Sequence, residues 1–233
     1  MTSEIVLISF QVIILVMSVV IHEVSHGLMA LWLGDTTAKY AGRLTLNPFK
    51  HLDWMGSFLV PLVLIKFFGM AFGWAKPVPY NPYNLRNQQF GPALVGVAGP
   101  LSNILLALVF GIAARLISLN SLVKLDIKNI FLQGDYSNLT FAVSGSLGAV
   151  LFLICTMIVT INVFLAFFNL IPIPPLDGSK LLMSVLPISD QTKMMLEQYG
   201  FFILLFVVFL LGGFLGYFLS FVLNIFFALV VGV

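Results

Sequence analysis

Residues 4–33, EIVLISFQVIILVMSVVIHEVSHGLMALWL, decide the fold: they form an apolar run that carries two histidines and a glutamate near its end. A helix needs about 20 predominantly apolar residues to cross the hydrocarbon core of a bilayer. This run is long enough, and it stops at the turn-prone pair Gly34-Asp35. The sequence therefore predicts a transmembrane helix with three ionisable side chains inside it.

The composition of the whole chain is typical of a membrane protein. Of its 233 residues, 60% are hydrophobic and 9% are charged, whereas a soluble domain has about 25% charged residues. The net charge of +2 is spread along the loops and gives no reason to expect nucleic-acid binding. The single cysteine, Cys155, excludes an intrachain disulfide and a zinc site built from several cysteines.

Further apolar stretches follow the first one, and we predict spans at residues 91–119, 144–186 and 199–233. The span at 144–186 is interrupted by prolines 172, 174 and 175, which cannot continue a regular helix. The run at 199–233 is short for two spans and a turn, so we interpret it as one tilted helix.

The stretch between the first two predicted spans, residues 36–90, is mixed in character. Residues 39–46 alternate like a strand and predict a short β-hairpin; an apolar piece at 56–72 and a Pro-rich loop, GWAKPVPYNP at 73–82, come next. We therefore predict an all-α polytopic membrane protein, a single domain over 1–233. It would have about four to five transmembrane helices, a short membrane-associated β-hairpin and a re-entrant or short segment.

The positions of the basic residues predict the orientation, because cytoplasmic loops carry an excess of Lys and Arg. If residues 56–72 dip into the bilayer and return, one side has seven basic residues and the other has three. The larger group is Lys39, Arg43, Lys50, Lys76, Arg86, Lys180 and Lys193; the smaller is Arg115, Lys124 and Lys128. We expect the larger group in the cytoplasm, both termini outside and the bilayer to be a bacterial plasma membrane. Whether 56–72 crosses or returns stays open.

The pattern His22-Glu23-Val24-Ser25-His26 places two imidazoles one helical turn apart on the same face. That spacing suits two ligands of one zinc ion, with Glu23 positioned to act as a base on the attacking water. The alternative is a set of polar residues that hydrogen-bond neighbouring helices. Ionisable groups inside a bilayer are costly, about 2.5–3.5 kcal/mol for a central acidic residue. The pattern therefore favours a metal site.

A catalytic zinc ion needs a third protein ligand, and two residues are candidates. His51 qualifies by residue type alone. Asp177 is favoured, because it is the acidic residue of the predicted third span and directly follows the broken helix. Irregular backbone at membrane depth is tolerated where it is packed in protein or lines a cavity. A simpler interpretation of Asp177, as the cap of the next helix, is compatible with ligation.

Three segments together resemble the core motifs of the site-2 protease family: HEVSH, AGPLSN (98–103) and FNLIPIPPLDG (168–178). The resemblance runs over about residues 15–185, and the loop GWAKPVPYNP resembles a motif of several bacterial members. It implies that His22, His26 and Asp177 ligate one zinc ion and that Glu23 is the general base. It also implies that Asn169 orients the substrate or stabilises the oxyanion, and that Asn103 lines the site. No PDZ or CBS domain is apparent.

The expected function is that of a zinc-dependent intramembrane endopeptidase, with its active site toward the cytoplasmic side. Its partners would be the lipid bilayer and a single-span membrane protein as substrate; the sequence does not predict the oligomeric state. Trp74 of the Pro-rich loop is a candidate substrate contact. The alternatives are a membrane metal-ion transporter that uses the same ligands and a non-catalytic binding scaffold. Glu23 favours hydrolysis, because a transport site needs no base beside its first ligand.

Overall fold

The structure is a computed structural model that describes residues 2–60, 62, 63, 66, 73, 75–186 and 188–233. Those residues are mostly helical and include no strand. Four helices are long and apolar enough to cross a membrane, over Glu4–Trp32, Gly91–Leu116, Leu147–Asn169 and Gln191–Val231. The prediction of an all-α polytopic membrane protein is therefore confirmed.

The helices follow the apolar pattern of the sequence. In chain order they are α1 (Thr2–Trp32), α2 (Thr37–Tyr40), α3 (Gly91–Leu116), α4 (Ser121–Gln133), α5 (Tyr136–Val143), α6 (Leu147–Asn169), α7 (Gly178–Val185) and α8 (Asp190–Phe226). Short 3-10 turns cover Pro48–Lys50 and Pro82–Asn84, and π-helical turns cover Trp54–Leu59 and Phe227–Val231. The predicted break lies between α6 and α7 and contains prolines 172, 174 and 175. The C-terminal apolar run forms one long helix, as predicted.

The chain divides into two compact units. Unit 1 comprises residues 1–18, 103–169 and 201–233. It contains the larger apolar core, whose fully buried side chains include Ile127, Leu139, Phe152 and Phe227. The Lys124 ammonium donates hydrogen bonds to the last carbonyls of α3, at 3.1 Å to Ala114 and 3.0 Å to Arg115. A lysine at this end of a helix satisfies carbonyl groups that have no partner within the helix.

Unit 2 comprises residues 19–102 and 170–200. Its small apolar core is formed by Ala30, Leu33, Leu85 and Val95, with Met29 and Tyr80 packed against it. A buried carboxylate, that of Asp35, joins the end of α1 to the Pro-rich loop. It accepts hydrogen bonds from the Thr37 amide and hydroxyl, the Asn81 amide and the Asn84 side chain. Burial raises the pKa of Asp35, but these hydrogen bonds outweigh burial and hold the pKa below its ordinary value.

The predicted β-hairpin at 39–46 is wrong. Residues 37–40 form α2, and the chain then turns at Gly42, whose φ is +64°. The Tyr40 and Arg43 amides bond to the carbonyls of Thr36 and Ala38, at 3.1 and 3.0 Å. These local bonds use the groups that a strand would offer to a neighbour, and a residue with positive φ interrupts the alternation on which the prediction rested.

Two predictions fall on residues that the structure does not describe. Most of the apolar piece at 56–72 lies outside the described residues, and so does Trp74. The path of 56–72 and the contact of Trp74 with substrate therefore stay predictions. At the start of the piece, the Asp53 carboxylate accepts a hydrogen bond from the Gly56 amide at 2.8 Å and caps the π-helical turn.

Candidate active site

The first part of the site lies on the last three turns of α1. His22 and His26 are both buried, and their ring centroids lie 4.6 Å apart in an edge-to-face arrangement. Glu23 completes a group in which the possible ligand atoms of all three residues lie within 4.8 Å of one another. The helical period brings the two imidazoles together, because residues four apart face the same way, and Glu23 directly follows His22 in the chain.

The second part of the site is the carboxylate of Asp177, which follows the unwound chain after α6. Its Oδ2 atom lies 3.0 Å from Nε2 of His22 and 3.0 Å from Nε2 of His26. The side chain of Asp177 makes no capping hydrogen bond to α7. The geometry therefore does not support the interpretation of Asp177 as a helix cap. The structure thus brings together the three residues predicted as metal ligands.

The alternative third ligand, His51, lies elsewhere in unit 2. Its Nε2 atom bonds to the Thr45 carbonyl at 2.9 Å, and its side chain is buried. Asp177, by contrast, lies 3.0 Å from Nε2 of both His22 and His26. Among the two candidates that the sequence left open, the geometry favours Asp177.

The orientation of the His26 ring is fixed from its far side. Its Nδ1 atom lies 2.6 Å from the carbonyl oxygen of Val95 in α3. A carbonyl can only accept a hydrogen bond, so Nδ1 is the donor and Nε2 is the ring nitrogen available to a metal ion. Histidines that bind metals usually have such an outer partner, which sets the tautomer and the direction of the ring.

Gly99 of α3 lies directly against the two imidazoles. A Cβ atom at this position would be 2.5 Å from Cε1 and Nε2 of His26, and 2.6 Å from Nε2 of His22. Both distances are well inside van der Waals contact. The absence of a side chain at position 99 therefore creates the space in which the ligand atoms of the two histidines meet.

The geometry fits a zinc ion. Two imidazole nitrogens and one carboxylate oxygen form a common donor set of catalytic zinc sites, and tetrahedral ligands about 2.1 Å from the metal lie about 3.4 Å apart. Oδ2 of Asp177 lies 3.0 Å from each of the two imidazole nitrogens. His22, His26 and Asp177 would hold the ion after a shift of a few tenths of an ångström. The 155-residue separation of His22 and Asp177 in sequence makes this convergence a property of the fold.

A partly exposed cation supports the buried carboxylate from its other side. Nζ of Lys180, in the first turn of α7, donates to Oδ1 of Asp177 at 2.9 Å and lies 5.7 Å from the centre of the Tyr80 ring. Sequence reasoning counted Lys180 only for membrane orientation. The signal that could have found it is the spacing: residues three apart at the start of a helix are neighbours.

Glu23 is held by the Pro-rich loop. Its Oε2 atom accepts a hydrogen bond of 2.8 Å from the backbone N–H of Val78. The sequence gives no local sign of this contact, because the donor is a main-chain group and the side chain of Val78 carries no polar atom.

Asn103 and Asn169, which the resemblance implied to be site residues, belong to unit 1. Asn103 is fully buried and donates to Oδ1 of Asn162 at 2.7 Å; Asn162 donates in turn to Oγ of Ser18 at 2.9 Å. Asn169 ends α6 and donates to the Leu165 carbonyl at 2.8 Å. Their roles in lining the site and in stabilising the oxyanion stay predictions.

Known proteins are similar to this chain over most of its length. Residues 10–212 match the model of Peptidase family M50. The chain is 36% identical over 204 residues to YwhC of Bacillus subtilis strain 168, which is named as a candidate zinc metalloprotease. That match covers 86% of this chain and 81% of the relative.

A second relative is Rip2 of Mycolicibacterium smegmatis, also named as a candidate zinc metalloprotease. It is 31% identical over 93 residues, which cover 40% of this chain and 35% of the relative. No solved structure matches the chain. The extent of the family match, together with the clustered ligands, shows that this chain belongs to peptidase family M50, the site-2 protease family of zinc metalloendopeptidases.

Proposed function

We propose that this protein is an intramembrane endopeptidase that hydrolyses a peptide bond within or near a transmembrane segment of a single-span membrane protein, as in regulated intramembrane proteolysis. One observation carries the proposal. The histidines belong to a helix that is apolar enough to span a bilayer, and a carboxylate from a distant part of the chain lies 3.0 Å from both.

The position of the site within α1 supports cleavage at membrane depth. Counted from Trp32 at about 1.5 Å per residue, His26 and His22 lie about 9 and 15 Å inside the end of the span. In this proposal the membrane is a bacterial plasma membrane, and the excess of Lys and Arg in the loops assigned to this side supports a cytoplasmic position for this end of α1. A substrate helix must unwind before its carbonyl can be attacked, because helical hydrogen bonds shield the peptide groups.

One zinc ion, held by His22, His26 and Asp177, would polarise the scissile carbonyl and acidify the attacking water. Glu23 accepts the proton of that water and later returns a proton to the leaving amine. The Val78 amide fixes one oxygen of Glu23, and the other oxygen is hydrogen-bonded to no residue in the described part of the chain. In this proposal Asn169 exchanges its bond to the Leu165 carbonyl for one to the developing oxyanion.

The transporter and scaffold alternatives are less consistent with these observations. Membership of a peptidase family supports hydrolysis. Glu23 also lies beside the ligands, where a base is useful for hydrolysis and has no function in transport. A scaffold would have no need to keep both the ligands and the base.

The test is substrate trapping in native membranes. Glu23→Gln should retain zinc and accumulate an uncleaved single-span protein that mass spectrometry identifies and that wild-type enzyme removes. Glu197→Gln, on the exposed surface of α8, is the matched control and should cleave normally. If Glu23→Gln instead abolishes metal flux while no membrane protein is cut by either form, the proposal fails.

A further inference from the structure

The Pro-rich loop contains a backbone donor that is isolated by its sequence. In Pro77-Val78-Pro79 only the central residue has a backbone N–H, because proline has none. That single N–H is the group bonded to Oε2 of Glu23, at 2.8 Å. Proline also restricts the conformation of its neighbours, so the loop has few ways to withdraw the donor.

The loop is fixed on both sides of Val78 within unit 2. Before it, the Lys76 amide donates to the His51 carbonyl at 2.8 Å, and the buried Arg43 guanidinium donates to the Lys76 carbonyl at 2.6 Å. After it, the Asn81 amide donates to the Asp35 carboxylate at 2.7 Å. Both hydrogen-bonding groups of the Lys76 peptide backbone are therefore engaged, two residues from the donor.

The side chain of Val78 fixes the loop against α1. It is 6% exposed, and it approaches α1 at Gly27, the residue after His26. A Cβ atom on Gly27 would lie 2.8 Å from Cγ1 of Val78 and 2.6 Å from Cδ2 of Leu44. Glycine at this position allows the loop to come close enough for its N–H to reach Glu23, one turn earlier on the helix.

We infer that Val78 is a positioning residue, whose backbone N–H holds one oxygen of Glu23 so that the other is aimed at the attacking water. The inference rests on the proposed function. A carboxylate on a flexible side chain must lie within hydrogen-bond reach of the proton it abstracts, and a misplacement of about 1 Å can cost about 100-fold in rate. The loop thus acts on the base and not on the metal ligands.

The test removes the N–H. Val78→Pro should lower kcat about 10- to 100-fold, change KM by about twofold at most, and leave one zinc ion per chain. In the second variant Val78 is replaced by its α-hydroxy acid through nonsense suppression, which exchanges N–H for oxygen and keeps the side chain and backbone freedom. Ala75→Pro introduces proline into the same loop at an amide that bonds to no described residue, and it should cleave normally.

Substrate affinity separates positioning of Glu23 from binding of substrate by the loop. In the inactive Glu23→Gln background, both N–H deletions should leave the affinity for the trapped substrate within about twofold. The inference is overturned if the α-hydroxy acid variant, with zinc bound, turns over at the wild-type kcat, or if affinity falls as much as rate. Absence of cleavage by wild-type protein would instead refute the proposed function.

Discussion

Gly99→Ala tests whether the space that Gly99 leaves beside the two histidines is needed for metal binding. The added methyl carbon would lie 2.5 Å from Nε2 of His26 and 2.6 Å from Nε2 of His22, whereas ordinary contact begins at 3.4 Å. Neither histidine can retreat without cost. His26 is held by its bond to the Val95 carbonyl, and His22 shares the same rigid helix.

The size of the effect follows from that overlap. Relief of the clash requires a movement of about 0.9 Å by an imidazole or by α3, and metal–ligand distances tolerate about 0.2 Å. We therefore expect Gly99→Ala to weaken zinc binding at least about 100-fold, or about 2.7 kcal/mol. Overpacking should also lower the stability of the apoprotein by about 1–3 kcal/mol.

The assay is zinc content and affinity of the purified protein, measured by competition with a chelator, beside cleavage of a membrane substrate. Gly213→Ala makes the same substitution in α8 at a position where the new Cβ meets nothing within 4 Å among the described atoms. It should bind zinc normally and change stability by at most about 1 kcal/mol, in the stabilising direction that alanine has in helices. If Gly99→Ala binds zinc with wild-type affinity, the ligands do not need the space that a glycine leaves at position 99.

Three further predictions concern polar contacts made by single side chains. Lys180→Met should lower zinc affinity about 10- to 100-fold, because Asp177 loses the cation that holds it. Lys180→Arg keeps the positive charge and should retain most of the wild-type affinity. Equal affinities in the wild type and both variants would contradict a role for Lys180 in positioning Asp177. Asp35→Ala should cost about 2–3 kcal/mol of unfolding free energy at pH 7, because it leaves several buried donors without a partner. The folded pKa of Asp35 is below its ordinary value of 3.8, so this stabilisation is complete above pH 3.8 and is lost as the pH falls through the folded pKa. Denaturation of the wild-type and Asp35→Ala proteins from pH 7 to pH 3 should show their difference in unfolding free energy shrinking. A constant difference would count against the prediction. Asn162→Leu should destabilise the protein by about 1–3 kcal/mol in thermal unfolding, because Asn103 loses its acceptor; an unchanged unfolding temperature would show that this pair contributes nothing.

The failure of the predicted β-hairpin shows where local pattern is weak evidence. Over a few residues, alternation of polar and apolar side chains is consistent with a strand, a short helix or a turn. The outcome at 37–46 depends on Asp35, which binds the start of α2 and is itself held by Asn81 from the Pro-rich loop. A contact made 46 residues away along the chain thus contributes to the local conformation.

The sequence by itself determined the features that depend on neighbours along the chain. Long apolar runs specify spanning helices, since no other open structure satisfies the backbone in lipid. The four-residue spacing of His22 and His26 specifies a shared face, since the helical period is fixed. Prolines 172, 174 and 175 specify a break, since proline removes a donor and obstructs the preceding turn.

Only the tertiary structure decided how distant groups meet. It placed Asp177 against the two histidines, whereas His51 bonds to the Thr45 carbonyl. It also revealed the space at Gly99 and the bond from the Val78 amide to Glu23. The physical reason is that every residue except proline has a backbone N–H and every glycine lacks a side chain, so the sequence does not indicate which of them has a function. That function arises from what the fold brings within 3 Å of the residue.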